Sequence, residues 1–439
     1  MRKLCILIIL FAFVQGMDAQ PKVNSPYSRF GLGDFFSQDF IAVTSVGGTS
    51  ASYTDPYHVN QANPASLGYL RATSFDVGVN VGRTRLTEPS QSVSRWSGNL
   101  SYLSLAFPLI NPINEVLERK QKPLHLGMNV SLMPYTNVGY NIEDSIHISE
   151  IGQVSRQYRG SGGTYKVQWN NGLKYKDLAV GLSLQYLFGN MAYTRQVDFP
   201  DASSFSDVYD DIIGAKGFLW NAGAMYDIVL DREEAKAKDR QPDKIITVGL
   251  TLHSKQSIRT RSSSLYRRVF ATSGALIDTI QYVDDVQGDG TLPGGFSAGI
   301  SYRQGFKWRA GINFASEGWS KYKNSAKPEL LQNAWTLSFG IGYRPDINAF
   351  NRFLQTIDYR LGVRFGSDPR VYNGDQLHEY AITLGVGVPF FVQRKISFLN
   401  AALEYGQFGQ PDILKNSYIQ LNVGFTLNDD EWFLKRKFN

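Results

Sequence analysis

"FDVGVNVG", Phe75 to Gly82, alternates without interruption. Phe75, Val77, Val79 and Val81 share one face, and Asp76, Gly78, Asn80 and Gly82 share the other. A side-chain period of two marks a β-strand, because successive Cβ atoms point to opposite sides of a sheet. Here one side is purely apolar and the other purely polar. The stretch just upstream, "NQANPASLGYLRA", Asn60 to Ala72, is small, polar and broken by proline. A loop-like segment thus runs directly into a two-faced strand, and the fold depends on which solvent each face meets.

The same alternation returns along the chain. Leu126, Met128, Val130 and Leu132 alternate with Gly127, Asn129 and Ser131. Ile246 to Leu252, Trp335 to Arg344, Ile357 to Phe365, Tyr380 to Val388 and Ile419 to Leu427 repeat it. Two-faced strands also build soluble sandwiches, but three features favour a membrane barrel. The runs are about 10 to 14 residues long, against about five or six for globular strands and about 9 to 11 for a tilted bilayer-crossing strand. The apolar faces end in aromatic residues such as Tyr302, Trp308, Tyr343, Phe365, Tyr380 and Tyr405, as interfacial girdles do. The polar faces carry Gly, Ser, Asn and Arg, which suits a crowded wet lumen.

Counting the runs predicts an all-β, antiparallel transmembrane β-barrel of 14 strands over residues 73–428. Closure removes the unpaired edges that lipid does not tolerate. Stretches 143–161, 194–214 and 261–293 read as long outward loops, and Lys176-Asp177, Gly305 and Val392 to Lys395 as tight periplasmic turns. Asn114 to Lys120 reads as a short helix.

Composition agrees. The 439 residues include 41 Gly, 24 Tyr and 27 Phe, only 19% are charged, and no apolar run is long enough for a spanning helix. The formal charge of +6 is mild for this length and gives no reason to expect nucleic acid. Arg2 and Lys3, the apolar run Leu4 to Val14, and Ala19 read as a secretory signal peptide over 1–19. The one cysteine, Cys5, falls inside it, so no disulfide framework is expected. The address is the cell outer membrane, with outer-membrane lipid as a partner. Residues 429–439 read as a periplasmic tail.

Residues 20–72 break the barrel pattern with turn formers throughout, including Gly47-Gly48 and Asn63-Pro64-Ala65. About fifty residues of this kind, preceding a barrel with a lumen to fill, predict a plug. A leader, an N-terminal segment carrying Asn63-Pro64-Ala65, and then fourteen strands resemble the FadL/TodX outer-membrane transport family. The tail "GFTLNDDEWFLKRKF", Gly424 to Phe438, resembles the ends of PorV-like barrels, a branch of the same superfamily that serves a secretion system. The resemblance implies that residues 20–72 form a hatch, and that an apolar ligand passes sideways through a gap made by a strand kink. Only Asn63, Pro64 and Ala65 carry over from the motif. Gly160 to Gly163 and Asn170-Asn171-Gly172 are the candidate irregularities.

Little in the sequence points to catalysis. His58, His125, His147, His253 and His378 show no metal-ligand spacing, and no nucleophile-base-acid motif is recognisable, so neither an enzyme nor a cofactor is expected. Asp284 to Gly290 lacks the twelfth-position Glu of a calcium loop and reads as an exposed turn. Arg303, Arg309, Arg344, Arg360 and Arg364 lie on polar strand faces with Asp358 and Glu404 nearby. They either line an anion-attracting pore or pair with carboxylates and carbonyls of the plug. A plug of this size favours the second. Two functions follow. One is a channel for uptake of fatty acids or other small hydrophobic molecules. The other is a non-transporting barrel subunit of an outer-membrane secretion or assembly complex, with other outer-membrane proteins as partners.

Overall fold

The computed structural model describes residues 25–89, 91–110, 122–199, 205–238, 242–346, 349, 352–392, 395–410 and 413–430. The signal peptide, the 114–120 helix and nearly all of the tail lie outside the described residues. A two-residue bridge, β1 (Asp34–Phe35), precedes the wall. The wall then runs through β2 (Thr73–Thr87), β3 (Ser92–Pro108), β4 (Leu124–Ile148), β5 (Gly152–Tyr175), β6 (Leu178–Asp198), β7 (Phe205–Val229), β8 (Lys244–His253) and β9 (Gln256–Phe270). It continues through β10 (Leu276–Leu292), β11 (Gly295–Gln304), β12 (Trp308–Glu317), a second bridge β13 (Lys323–Asn324), β14 (Ala334–Tyr343), β15 (Asp358–Tyr372), β16 (Asp375–Val392), β17 (Lys395–Gln410) and β18 (Leu414–Asp429). All pairings are antiparallel, and β18 closes on β2 with Leu421 opposite Val81.

The barrel has 14 staves. Strands β8 and β9 are one stave interrupted at Ser254-Lys255, since both pair with β7. Strands β10 and β11 are likewise one stave, interrupted at Pro293-Gly294. The period of two is what lipid requires. Val79 and Val81 are 45% and 49% exposed, while Asp76 and Asn80 are 2% and 7% exposed. Apolar side chains therefore face outward and polar ones inward, the reverse of a soluble sheet. Trp308 packs on Tyr343 at the inner rim, with ring centres 4.3 Å apart, and Trp335 on Phe365 at the outer rim, 6.2 Å apart.

The three long outward loops are a correction. Most of 143–161, 194–214 and 261–293 is strand, forming hairpins that stand above the bilayer. Asp284 to Gly290 is likewise not a turn but part of β10, at a register shift between Val283 and Val286, where Ser263 Oγ donates to Asp284 at 2.6 Å. The cause is physical. Above the lipid both faces of a strand meet water, so the apolar-polar alternation that marks a strand disappears while its backbone pairing continues. Residues 276–287 of β10 are exposed on both faces.

Residues 25–72 lie inside the barrel. The segment starts in the outer half, where the Tyr27 hydroxyl donates to the Leu414 carbonyl at 2.6 Å. It descends through a helical turn, Ile41–Thr44, and a 3-10 turn, Pro64–Tyr69, before entering β2 from the periplasmic side. Asn63 caps the second turn, with its side-chain oxygen accepting from Ala65 N at 3.1 Å. Pro64 opens it, where its fixed φ and missing N–H cost nothing. Phe40 stacks on Tyr102 of the wall, ring centres 3.9 Å apart, within a buried cluster that includes Ile41, Leu67 and Leu70.

Candidate functional site

At several wall glycines the plug backbone comes directly against the barrel, and glycine makes that approach geometrically possible. A Cβ on Gly249 would stand 1.9 Å from the Ala51 carbonyl oxygen; on Gly362, 2.0 Å from Gly47 N; on Gly340, 2.1 Å from Val46 O. On Gly127 it would stand 2.1 Å from Leu67 O, and on Gly181, 2.3 Å from the Pro64 carbonyl carbon. These glycines face one another across the ladder: Gly127 with Gly172, Gly172 with Gly181, Gly181 with Gly223, Gly249 with Gly299, and Gly340 with Gly362. They form a girdle that, except at Gly299 with its nearest atoms at 3.0 Å, has no room for a side chain larger than hydrogen. Asn63 belongs to this seam, since its Nδ2 donates to the Ala51 carbonyl at 2.6 Å.

Polar side chains of the wall complete the seam. Asn313 Oδ1 accepts from Ala51 N at 3.1 Å, Ser301 Oγ donates to Ser52 O at 2.9 Å, and Asn221 Nδ2 donates to Ala62 O at 3.0 Å. The charged residues singled out from the sequence separate into two groups. Toward the periplasm, Arg309 donates to Thr54 O at 3.0 Å and Asp55 at 3.2 Å. Arg344 and Arg360 share Asp358 at 3.0 and 2.9 Å, and Arg360 also reaches Asn400 at 2.8 Å and the plug's Ser45 Oγ at 3.2 Å. Arg303 lines a small cavity together with Arg309, Arg344 and Arg360, its Nε without a hydrogen-bond partner among the described residues. On the outer side of the plug, Arg364 pairs with Glu379 at 2.8 Å and Glu404 at 2.9 Å, and Tyr418 donates to Glu404 at 2.8 Å. Burial by itself would raise Asp55, but His58 and Arg309 outweigh it and hold this plug carboxyl well below its ordinary range.

Two partners escaped the sequence reading. Arg370 lies in the irregular end of β15, where the register shifts between Ser367 and Val371. It turns inward to pair with Asp34, with Asp368 at 2.7 Å, and with the Tyr27 carbonyl at 3.2 Å. Because the period of two fails there, no face assignment was available. Asp39 is half-buried in the plug beside this charged group, and loss of solvent raises its carboxyl to about 6 against the opposing pull of Arg364 and Ser50.

The wall parts between β3 and β4. Strands β3 and β4 pair only from Leu103 opposite Leu132 to Pro108 opposite Gly127. Above that point β3 stays with β2, with a bulge that leaves Ser101 extra, and β4 stays with β5. The parting is not at Asn170-Asn171-Gly172, which pairs regularly with Gly127 to Asn129. Gly162 and Gly163 do adopt positive φ, 103° and 141°, but keep their ladder. The plug covers the freed edge of β4: Asp34 and Phe35 pair with Asn137 and Thr136, Phe36 N donates to Tyr135 O, and Ser25 N donates to Gly139 O, the last two at 2.9 Å. Behind the parting lies a cavity of about 240 Å³, lined by groups such as Asp39, Asn80, Ser101, Arg364, Glu404 and Asn422. Its lining mixes these polar and charged groups with apolar side chains, Phe35, Phe36, Ile41 and Phe408. Among the described residues, no cluster of three or more His, Cys, Asp or Glu could hold a metal ion.

The fold is that of known outer-membrane barrels. A FadL homologue of Pseudomonas aeruginosa matches 90% of this chain and 99% of its own, with TM-score 0.54 at 13% identity. The Ralstonia pickettii toluene transporter TbuX matches 91% and 100%, with TM-score 0.52 at 13% identity, and the Pseudomonas putida toluene transporter TodX matches 90% and 99%, with TM-score 0.52 at 14% identity. The fold follows from this likeness. No curated protein sequence matches. The family model for BamG matches residues 1–439, and the chain belongs to the BamG family.

Proposed function

We propose that this protein is a plugged, non-conducting barrel that acts as a subunit of an outer-membrane protein assembly. One observation carries the reading. The wall is shaped to the plug backbone by a girdle of glycines, and a plug built to move out of the lumen would not need direct backbone contact around the barrel. The charged residues then act as latches, Arg309 and Arg360 below and Arg370 above, tying plug to wall rather than attracting anions. The cavity behind the parting carries paired charges, Arg364 with Glu379 and Glu404, among apolar side chains such as Phe35, Ile41 and Phe408. Long paired hairpins above the bilayer offer ordered surface for partners, and BamG family membership agrees with such a role.

A second reading, uptake of a small hydrophobic molecule, is favoured by the parting of β3 from β4, which offers a sideways route to the bilayer. The experiment is purification of a tagged copy from its own outer membrane in mild detergent, with mass spectrometry of what accompanies it. Stoichiometric protein partners support the assembly subunit. A lone barrel carrying a fatty acid or hydrocarbon would overturn it in favour of the channel.

A further inference from the structure

The outside of the wall carries a groove of about 700 Å³ across β6, β7, β9 and β10. One row of the ladder runs through it, setting Phe188, Lys216, Arg259 and Asp289 side by side on those four strands. Ile258 and Thr260, the chain neighbours of Arg259, are buried at 2% and 4% exposure, so this row faces outward. The next row up, Asn190, Gly214, Arg261 and Gln287, shares that face. Gly214 opens a gap in it, where a Cβ would stand 2.9 Å from Asn190 Oδ1 and 3.9 Å from Arg261 Cβ. Lys216 and Arg259 are exposed and directly opposite one another, and like charges so placed repel. Neither makes an ion pair among the described residues, whereas Arg261 pairs with Asp285 at 2.5 Å. Asp289 is the single carboxylate of the lining.

The groove sits at the outer edge of the lipid-facing band. The outward face of β6 is apolar from Leu178 to Phe188 and turns polar at Asn190. That of β7 is apolar from Tyr226 up to Phe218 and turns basic at Lys216. Leu178 follows the periplasmic turn, and the roughly ten residues from it to Phe188 rise roughly 26 Å in a strand tilted about 40°, close to the ~25 Å height of an apolar barrel band. Tyr186, Phe188 and Phe218 form a ring cluster beneath the cations, with Tyr186 5.0 Å from Phe218 and 6.1 Å from Phe188. Phe218 is 81% exposed.

We propose that this groove holds a phosphorylated lipid of the outer leaflet. Its phosphate lies between Lys216 and Arg259, and its chains lie along Phe188 and Phe218. A phosphate between the two cations turns their repulsion into two charge-assisted contacts. With Arg261 neutralised by Asp285, two cations still face one carboxylate, so the lining selects an anionic head over a neutral one. The aromatic surface below selects a head group that carries acyl chains over a free anion. The site is outside the lumen, so the proposal stands whether or not the protein is an assembly subunit.

The test uses the full-length protein in a polyoxyethylene detergent, with bound lipid counted by native mass spectrometry. The protein is titrated with diphosphoryl lipid A, with the same lipid after removal of both phosphates, and with inorganic phosphate. The expected result is saturable binding of the phosphorylated lipid, about tenfold or more tighter than of the other two. Lys216→Gln with Arg259→Gln is expected to weaken that binding about thirtyfold, roughly fivefold for each cation removed. Both side chains are exposed and unpaired among the described residues, so the variant should keep the wild-type melting temperature. Arg83→Gln with Arg85→Gln, an exposed basic pair on β2, is the control for charge alone and should leave binding unchanged. Equal binding with and without the phosphates, equal binding of inorganic phosphate, unchanged binding in the Lys216 and Arg259 variant, or an equal loss in the control pair would overturn the proposal.

Discussion

A disulfide between plug and wall would separate a permanent plug from a mobile one. Thr49 lies in the plug and Gly311 on β12, and a Cβ built on Gly311 stands 3.5 Å from the Thr49 Cβ. Disulfides need Cβ atoms about 3.5 to 4.5 Å apart, so the double variant Thr49→Cys, Gly311→Cys should close without moving backbone. The only natural cysteine is Cys5, within the expected leader, so no competing pairing is expected. The bridge closes a loop of roughly 260 residues, for which chain entropy gives up to about 5 kcal/mol of stabilisation. Closure is read from a mobility shift on non-reducing gels. Function is read from the outer-membrane proteins that co-purify and from growth of a strain relying on the variant. The expected result is spontaneous oxidation, a raised melting temperature, and unchanged partners and growth. If the bridge fails to form, the plug does not rest where described. If the oxidised form is inactive and reduction restores it, the plug must move, and the non-conducting reading is wrong.

Three further outcomes test the physics. Gly249→Ala should lose about 3 kcal/mol or more by overpacking, because its Cβ would stand 1.9 Å from Ala51 O, whereas Gly311→Ala, with nothing nearer than 3.5 Å, should be nearly neutral; equal melting temperatures would deny the girdle. Asp39 has a carboxyl raised to about 6 in the fold, so the unfolded chain binds fewer protons than the native one between pH ~4 and ~6, and stability falls as pH rises through that window. Asp39→Asn should then melt higher than wild type at pH 7.5, by up to about 3 kcal/mol, and converge with it near pH 4; a gap that persists at pH 4 would rule out titration of Asp39 as its origin. Leu384→Arg places a charge on the lipid face near the middle of β16, where Leu384 is 57% exposed, and should cost about 2 to 4 kcal/mol in bilayer refolding titrations, while a neutral result would argue against a lipid-facing position.

The sequence by itself determined the part of the fold that lipid constrains. Where a strand crosses the bilayer, its two faces meet different solvents, and Val79 beside Asn80 records that difference in residue type. The strand count, the tight turns at Lys176-Asp177 and Gly305, and the plug all followed from that contrast and from its absence before Thr73. Above the bilayer the contrast ends, so the outer ends of β4 to β7, most of β9 and all of β10 read as loops although their backbones remain paired. The Asn63-Pro64-Ala65 turn was legible because capping is local. The seam it belongs to was not. Gly249, Gly340 and Gly362 look like ordinary polar-face glycines until Ala51, Val46 and Gly47 are brought against them from some 200 to 300 residues away in sequence. The arginines were visible as a set, but only the tertiary structure divides them between the two sides of the plug, adds Arg370 from an irregular strand end, and parts β3 from β4. Those features depend on contacts between segments distant in the chain, and no local pattern of residues encodes them.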